Sequence, residues 1–236
     1  MDYLRLQKLS YELGEFWRRI HGFYLDAVAG FSFVHSRIEQ DQARIRQLID
    51  DIEISSETFQ DTRMFSYSMV FSKEFCGSGI HHATQGEVKS RNRPGGMNYI
   101  ILGQLCVVSF FDYWNDYLRK EYAIAKGALN SQENDQKKID MILADHARDD
   151  FWGDMRHLRN SIVHNGGIAN SDIAKCKLIT WFSPKQEINL TPVMMRSVFL
   201  AVLQSRNKIF SEGLPPRTLR IKEYTGNEEP EDKFIG

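Results

Sequence analysis

Phe151-Trp152-Gly153-Asp154-Met155-Arg156-His157-Leu158-Arg159-Asn160-Ser161-Ile162-Val163-His164-Asn165-Gly166-Gly167 is the stretch on which the fold turns. Phe151, Met155, Leu158 and Ile162 follow the spacing i, i+4, i+7, i+11. That spacing places them in one stripe along a helix and predicts that the stripe faces the core. Asn165-Gly166-Gly167 reads as the helix stop, because glycine takes the left-handed conformation that closes a last turn. His164 is therefore expected in the last turn. Rotating away from the apolar stripe by about 100° per residue meets Arg159, Trp152, Val163, Arg156, Asp149, Asn160 and His164 over about 140°. Arg156, Asn160 and His164, spaced i, i+4, i+8, stack on one line, and Arg159 flanks them with a long side chain.

Working upstream, Tyr99 to about Lys126 predicts a strong helix whose first four turns are apolar nearly all round. A surface helix does not need that, and it fits burial both by the core and by a partner subunit. Asp112, Asn115, Asp116 and Arg119 then form a polar stripe within about 100° of one another. After a polar linker around Asn130-Ser131-Gln132-Glu133-Asn134, another helix leads, with or without a break, to His164. Residues 3 to about 50 read as two helical segments, the first through Leu13 and Trp17. Met64 to Phe75 is aromatic and β-prone, and Gly77 to Gly96 reads as a long solvated loop carrying Lys89, Arg91 and Arg93 against one acid, Glu87.

Downstream, Lys177 to Phe182 and Glu187 to Leu190 read as a short β-hairpin around Ser183-Pro184. Thr191-Pro192 opens a last helix, with Thr as N-cap and Pro at the first helical position. Gly213-Leu214-Pro215-Pro216 is expected to close it, before a loose tail rich in acids. The expectation is a mainly all-α protein with a hairpin insert between the helix ending at His164 and the last helix. Its parts are N-terminal helices and irregular chain over 1–97, a helical core over 98–212 and a tail over 213–236.

A chain of 236 residues that is 42% hydrophobic buries a core without staples. The net charge of -1 supplies no global positive field, so any RNA must be held by a local basic patch. Cys76, Cys106 and Cys176 are too far apart for a paired zinc pattern or a disulfide framework and read as small buried hydrophobes, which suits a reducing cytoplasm. Cys76 with His81-His82 lacks a fourth ligand. The first residues carry no signal-peptide pattern, and Tyr99 to Phe111 is too short to cross a bilayer. Gly-rich phosphate loops, Gly-x-Ser-x-Gly elbows and His-Glu-x-x-His segments do not occur. Neither a metal nor another cofactor is expected.

The face of the 151–164 helix suits attack of an RNA 2′-hydroxyl on its neighbouring phosphate. That reaction needs a group that exchanges a proton near neutral pH, the role of His164, and a fixed cationic fork on the phosphorane oxygens, the role of Arg159. Asn160 is placed to hold the imidazole or a phosphate oxygen, and Arg156 is a candidate RNA contact. DNA lacks the nucleophile, so the route is restricted to RNA.

Arg159-Asn160 with His164 five positions after the arginine resembles the R-N-x-x-x-H form of the motif of the HEPN superfamily. Composition alone gives about 0.02 such matches. The pairs Arg91-Asn92 and Arg206-Asn207 lack the histidine. The likeness covers residues 98 to 212. It implies a helical bundle that dimerises so that two such helices face each other and form a joint cleft. It also implies an acidic or polar residue from the preceding long helix near the motif, for which Asp112 and Asp116 are the candidates. Many members are metal-independent ribonucleases of toxin or antiviral and abortive-infection type, with an antitoxin or defence-system partner protein; others are catalytically silent modules that bind RNA, a nucleotide or a protein. The complete set of Arg159, Asn160 and His164 favours the first reading; the absence of a basic surface favours the second.

Overall fold

The structure, a computed structural model, describes residues 1–49, 51–65 and 83–211. The β-prone residues 66–75, Cys76, the loop residues 77–82 with His81-His82, and the tail from Gly213 lie outside these. The described chain is mostly helical and contains no β-strand; its only pairings are the isolated bridges Met64–Thr84 and Ile168–Glu187.

Residues 3–48 form one helix, α1 (Tyr3–Leu48), rather than two segments. At 1.5 Å per residue its 46 residues span about 69 Å. No proline or glycine pair interrupts it, and its two ends serve two apolar clusters. Leu6, Leu9, Leu13 and Tyr24 enter the main core, whereas Ile38 packs with Phe65, Ala83 and Val88. Two short helices follow, α2 (Ile52–Ser55) and α3 (Glu57–Thr62).

Part of the expected long loop is instead a helix, α4 (Gln85–Asn92). Thr84 and Glu87 close a reciprocal capping box that satisfies two donors of its first turn. Lys89 is not a solvated loop cation: it is buried, bonding Glu57 (2.9 Å), Asp61 (3.0 Å) and Gln42 (3.1 Å). Gly86 makes room for α3, because a Cβ there would lie 2.9 Å from Asp61 Cβ.

The central helix is α5 (Met97–Tyr113), continued through a π-helical turn (Trp114–Leu118) into α6 (Arg119–Ala125). Then come α7 (Gln136–His146) and, after a break at residues 147–149, α8 (Asp150–His164). Asp149 caps α8 through the N–H groups of Phe151 and Trp152. Phe151, Met155 and Leu158 are buried as their spacing requires, with Ile162 partly so. A Trp114–Trp152 stack, centroids 4.9 Å apart, clamps the start of the π-helical turn to α8. The last helix, α9 (Pro192–Ile209), starts on the Thr191 cap. Gly103 lets its start approach α5, since a Cβ there would meet Leu190 Cβ at 2.9 Å. Among the described residues no single helix is long and apolar enough to cross a membrane.

The hairpin expected over 177–190 does not form. The N–H groups of Lys177, Leu178 and Ile179 turn inward to the Asp154 carboxylate at 2.6–3.1 Å instead of pairing with residues 187–190. Residues 185–188 bond the chain leaving α8: Lys185 N–H to Ala169 O, Ala169 N–H to Gln186 O and Ile188 N–H to Gly167 O. A buried carboxylate thus outcompetes a strand for three donors, consistent with the strength of hydrogen bonds to charged acceptors.

Candidate active site

α8 ends at His164, and Gly166 and Gly167 follow with φ of +61° and +80°, the left-handed conformation expected of the stop. The turn is anchored by Asn165 N–H to Ser161 O and by Asn170 N–H to the buried Ser161 hydroxyl. Gln104 of α5 packs on Gly167 and donates to Ile188 O at 3.0 Å. The end of α8 is therefore held by α5 and by the segment before α9, while His164 remains exposed.

Three candidate residues meet here. Arg159 Nε donates to Asp112 Oδ1 at 3.1 Å, and Arg159 Nη1 lies 2.8 Å from His164 Nε2. A guanidinium has donors and no acceptor, so in this arrangement His164 Nε2 carries the lone pair and the ring proton is on Nδ1. The arginine is gripped on one edge by a carboxylate and touches the imidazole with the other, leaving Nη2 for an outside acceptor. Asp112 and His164 are brought to one fork from positions 52 residues apart in the chain.

The other candidates fall elsewhere. Asp116 is exposed and accepts from its neighbour Asn115 at 2.8 Å. It belongs to the π-helical turn, whose wider winding breaks the simple 100° phase that placed it beside Asp112. Asn160 is half-buried on α8, and its side chain makes no hydrogen bond among the described residues. Arg156 is exposed and lines a cleft on the side of Trp152 rather than joining the Arg159 fork. No group of three or more His, Cys, Asp or Glu among the described residues is arranged to hold a metal ion.

Asp154, Ser161 and His157 carry structure that the helical-wheel reading left unassigned. Each is buried, and Asp154 and Ser161 bond the chain beyond α8. Burial, and next the charge of Arg156, lowers the His157 imidazole from its ordinary value. The legible sign was a polar residue next to the apolar stripe at 154, 157 and 161, three and four residues apart.

Comparison of the chain with family models, with curated proteins and with solved structures finds no match.

Proposed function

We propose that the protein is a metal-independent endoribonuclease of HEPN type, acting as a homodimer in a toxin or antiviral, abortive-infection setting. The observation that carries this reading is the contact of Arg159 with both Asp112 and His164 at an accessible helix end. Residues of the required chemistry, distant in sequence, converge on one fork. In the proposed reaction the 2′-oxygen bonds to the adjacent phosphorus, and its proton passes to His164 Nε2, which accepts it once Arg159 Nη1 has turned away. The bond from phosphorus to the 5′-oxygen breaks, and that oxygen leaves with a proton from an acid. Arg159 releases His164 and offers its fork to the phosphorane oxygens, where charge builds up.

Two protonation states are used, and each chain has one His164. A second copy supplies the other, since a two-fold contact presents the same patch twice. The surface for that contact is at hand: Met97, Ile101 and Leu105, spaced i, i+4, i+8 on α5, are exposed apolar side chains on the helix that carries Asp112. Val163, beside His164, is exposed as well. The test is digestion of RNA in chelator with analysis of the new ends. A 2′,3′-cyclic phosphate with a 5′-hydroxyl supports the reading; activity that disappears with chelator and returns with a divalent ion overturns it.

A further inference from the structure

Phe111 and Asn115, which bracket Asp112 in sequence, also wall an open cleft of about 420 Å³ between the α5–α6 helix and α8. Arg119, Arg148 and Arg156 line it, and none of the three side chains makes a hydrogen bond or ion pair among the described residues. The acids of the same cleft are mostly committed. Asp149 accepts from the first turn of α8, from Ser205 and from Lys208; Asp150 holds Lys177; Asp154 holds the backbone of 177–179. Asp145 remains, exposed, and Asp140 acts on Arg119 through its charge alone.

Arg119 is the unusual member. It is half-buried, and burial first, with the neighbouring Arg156 charge second, lowers its guanidinium from the ordinary value. Arg119, half-buried, and Arg156, exposed, thus bring two like charges to the lining of one cleft, an arrangement that an anion between them relieves. His157 and Trp152, 8% and 3% exposed, line the same cleft, and His157 Nδ1 and Trp152 Nε1 have no hydrogen-bond partner.

We propose that Arg119 and Arg156 form a phosphate-binding subsite that holds a backbone phosphate of the RNA strand beside the one that reacts at Arg159 and His164. The assignment to a strand rests on the nuclease reading; the phosphate chemistry does not. Paired guanidinium forks match the several oxygens of a phosphate better than they match a single acceptor. Arg156 precedes Arg159 by three residues, about 4.5 Å along the helix axis, so the two sites follow one another along α8. This local pair also answers how a chain of net charge -1 holds RNA.

The test uses the full chain and a short, fluorescently labelled 2′-O-methyl oligoribonucleotide, which binds but has no free 2′-hydroxyl to attack. Arg119→Gln and Arg156→Gln are each expected to weaken binding about tenfold and to flatten the dependence of log affinity on log salt by about 0.7. Arg119→Lys restores the salt slope without the full affinity, because the charge returns and the fork does not. Wild-type affinity and slope in both glutamine variants, with unchanged melting, overturn the subsite. Competition with inorganic phosphate and uridine 3′-monophosphate separates the sources. Displacement only at large excess supports a strand, and displacement at concentrations equal to the oligonucleotide overturns the strand assignment in favour of a free mononucleotide. Binding that depends on both arginines in a protein that leaves unmodified RNA uncut sinks the nuclease and keeps the phosphate subsite. Cleavage by a protein whose glutamine variants bind normally does the reverse.

Discussion

Arg159 Nη1 donates to His164 Nε2 across 2.8 Å while Nε of the same guanidinium is held by Asp112, so one arginine couples the carboxylate of α5 to the imidazole at the end of α8. A lysine offers a compact charge and cannot span both partners. Arg159→Lys is expected to lower kcat for RNA cleavage about 100-fold or more. Single-turnover cleavage at saturating enzyme measures this, and a lysine variant within threefold of wild type excludes the fork from the reaction.

Asp112→Asn keeps the shape of the side chain and removes the charge that anchors Arg159. The pair is partly exposed, so stability should change by less than about 1 kcal/mol. Cleavage should fall roughly 10- to 100-fold as the fork loses its position. Asp116→Asn, which alters an exposed residue bonded to its neighbour, should leave cleavage unchanged. Equal losses from the two variants would contradict the geometry.

Asp154 is 2% exposed and accepts three consecutive backbone N–H groups. Asp154→Ala strands those donors at about 1 kcal/mol or more each, a loss of about 3 kcal/mol that lowers Tm by roughly 6–12 °C. Calorimetry checks this, and a Tm within 2 °C of wild type would mean that the 177–179 segment finds other partners.

The buried His157 gives stability a pH dependence. Its folded value is lowered, mainly by burial and further by Arg156, so the unfolded chain takes up a proton first as pH falls below about 6.5. Stability is full above that pH and declines as pH falls toward the lowered folded value, beneath which the loss stops growing. His21, also lowered by burial, acts in the same direction. The difference in Tm between wild type and His157→Gln should therefore depend on pH below about 6.5 and be flat above 7. A difference independent of pH removes the proton linkage.

Leu105 and Ile101 are exposed on α5, and the proposed dimer through them is open to a direct measurement. Leu105→Glu should shift sedimentation from dimer to monomer and reduce cleavage with it, whereas His164→Ala leaves the dimer intact. A wild-type monomer that cleaves at full rate contradicts a shared site.

The long elements were legible because their signals are local. The apolar stripe from Phe151, the Gly166-Gly167 stop and the Thr191-Pro192 start each depend on a few neighbouring residues, and each element forms where its signal lies. The hairpin does not form although its alternation is real, because its donors are claimed by Asp154, a residue more than twenty positions upstream. The helix over 85–92 was hidden by Gly86 and the surrounding polar residues, although the Thr84 and Glu87 capping pair was there to see. Among the site residues, Arg159 and His164 lie about 140° apart around α8, and they meet because the long arginine side chain reaches around the last turn. Asp112 joins them through packing of α5 on α8, and only three-dimensional geometry separates it from Asp116, which the π-helical turn carries away.

If His164 carries proton transfer in RNA cleavage without a metal, digestion of RNA in chelator by wild type and by His164→Ala at equal concentration separates the two proteins sharply. The expected result is cleavage by wild type ending in 2′,3′-cyclic phosphate, and loss of about 100-fold or more in the variant, with dimer and Tm nearly unchanged. Equal cleavage by the two proteins, or none by the wild type across a range of RNA substrates, would contradict it.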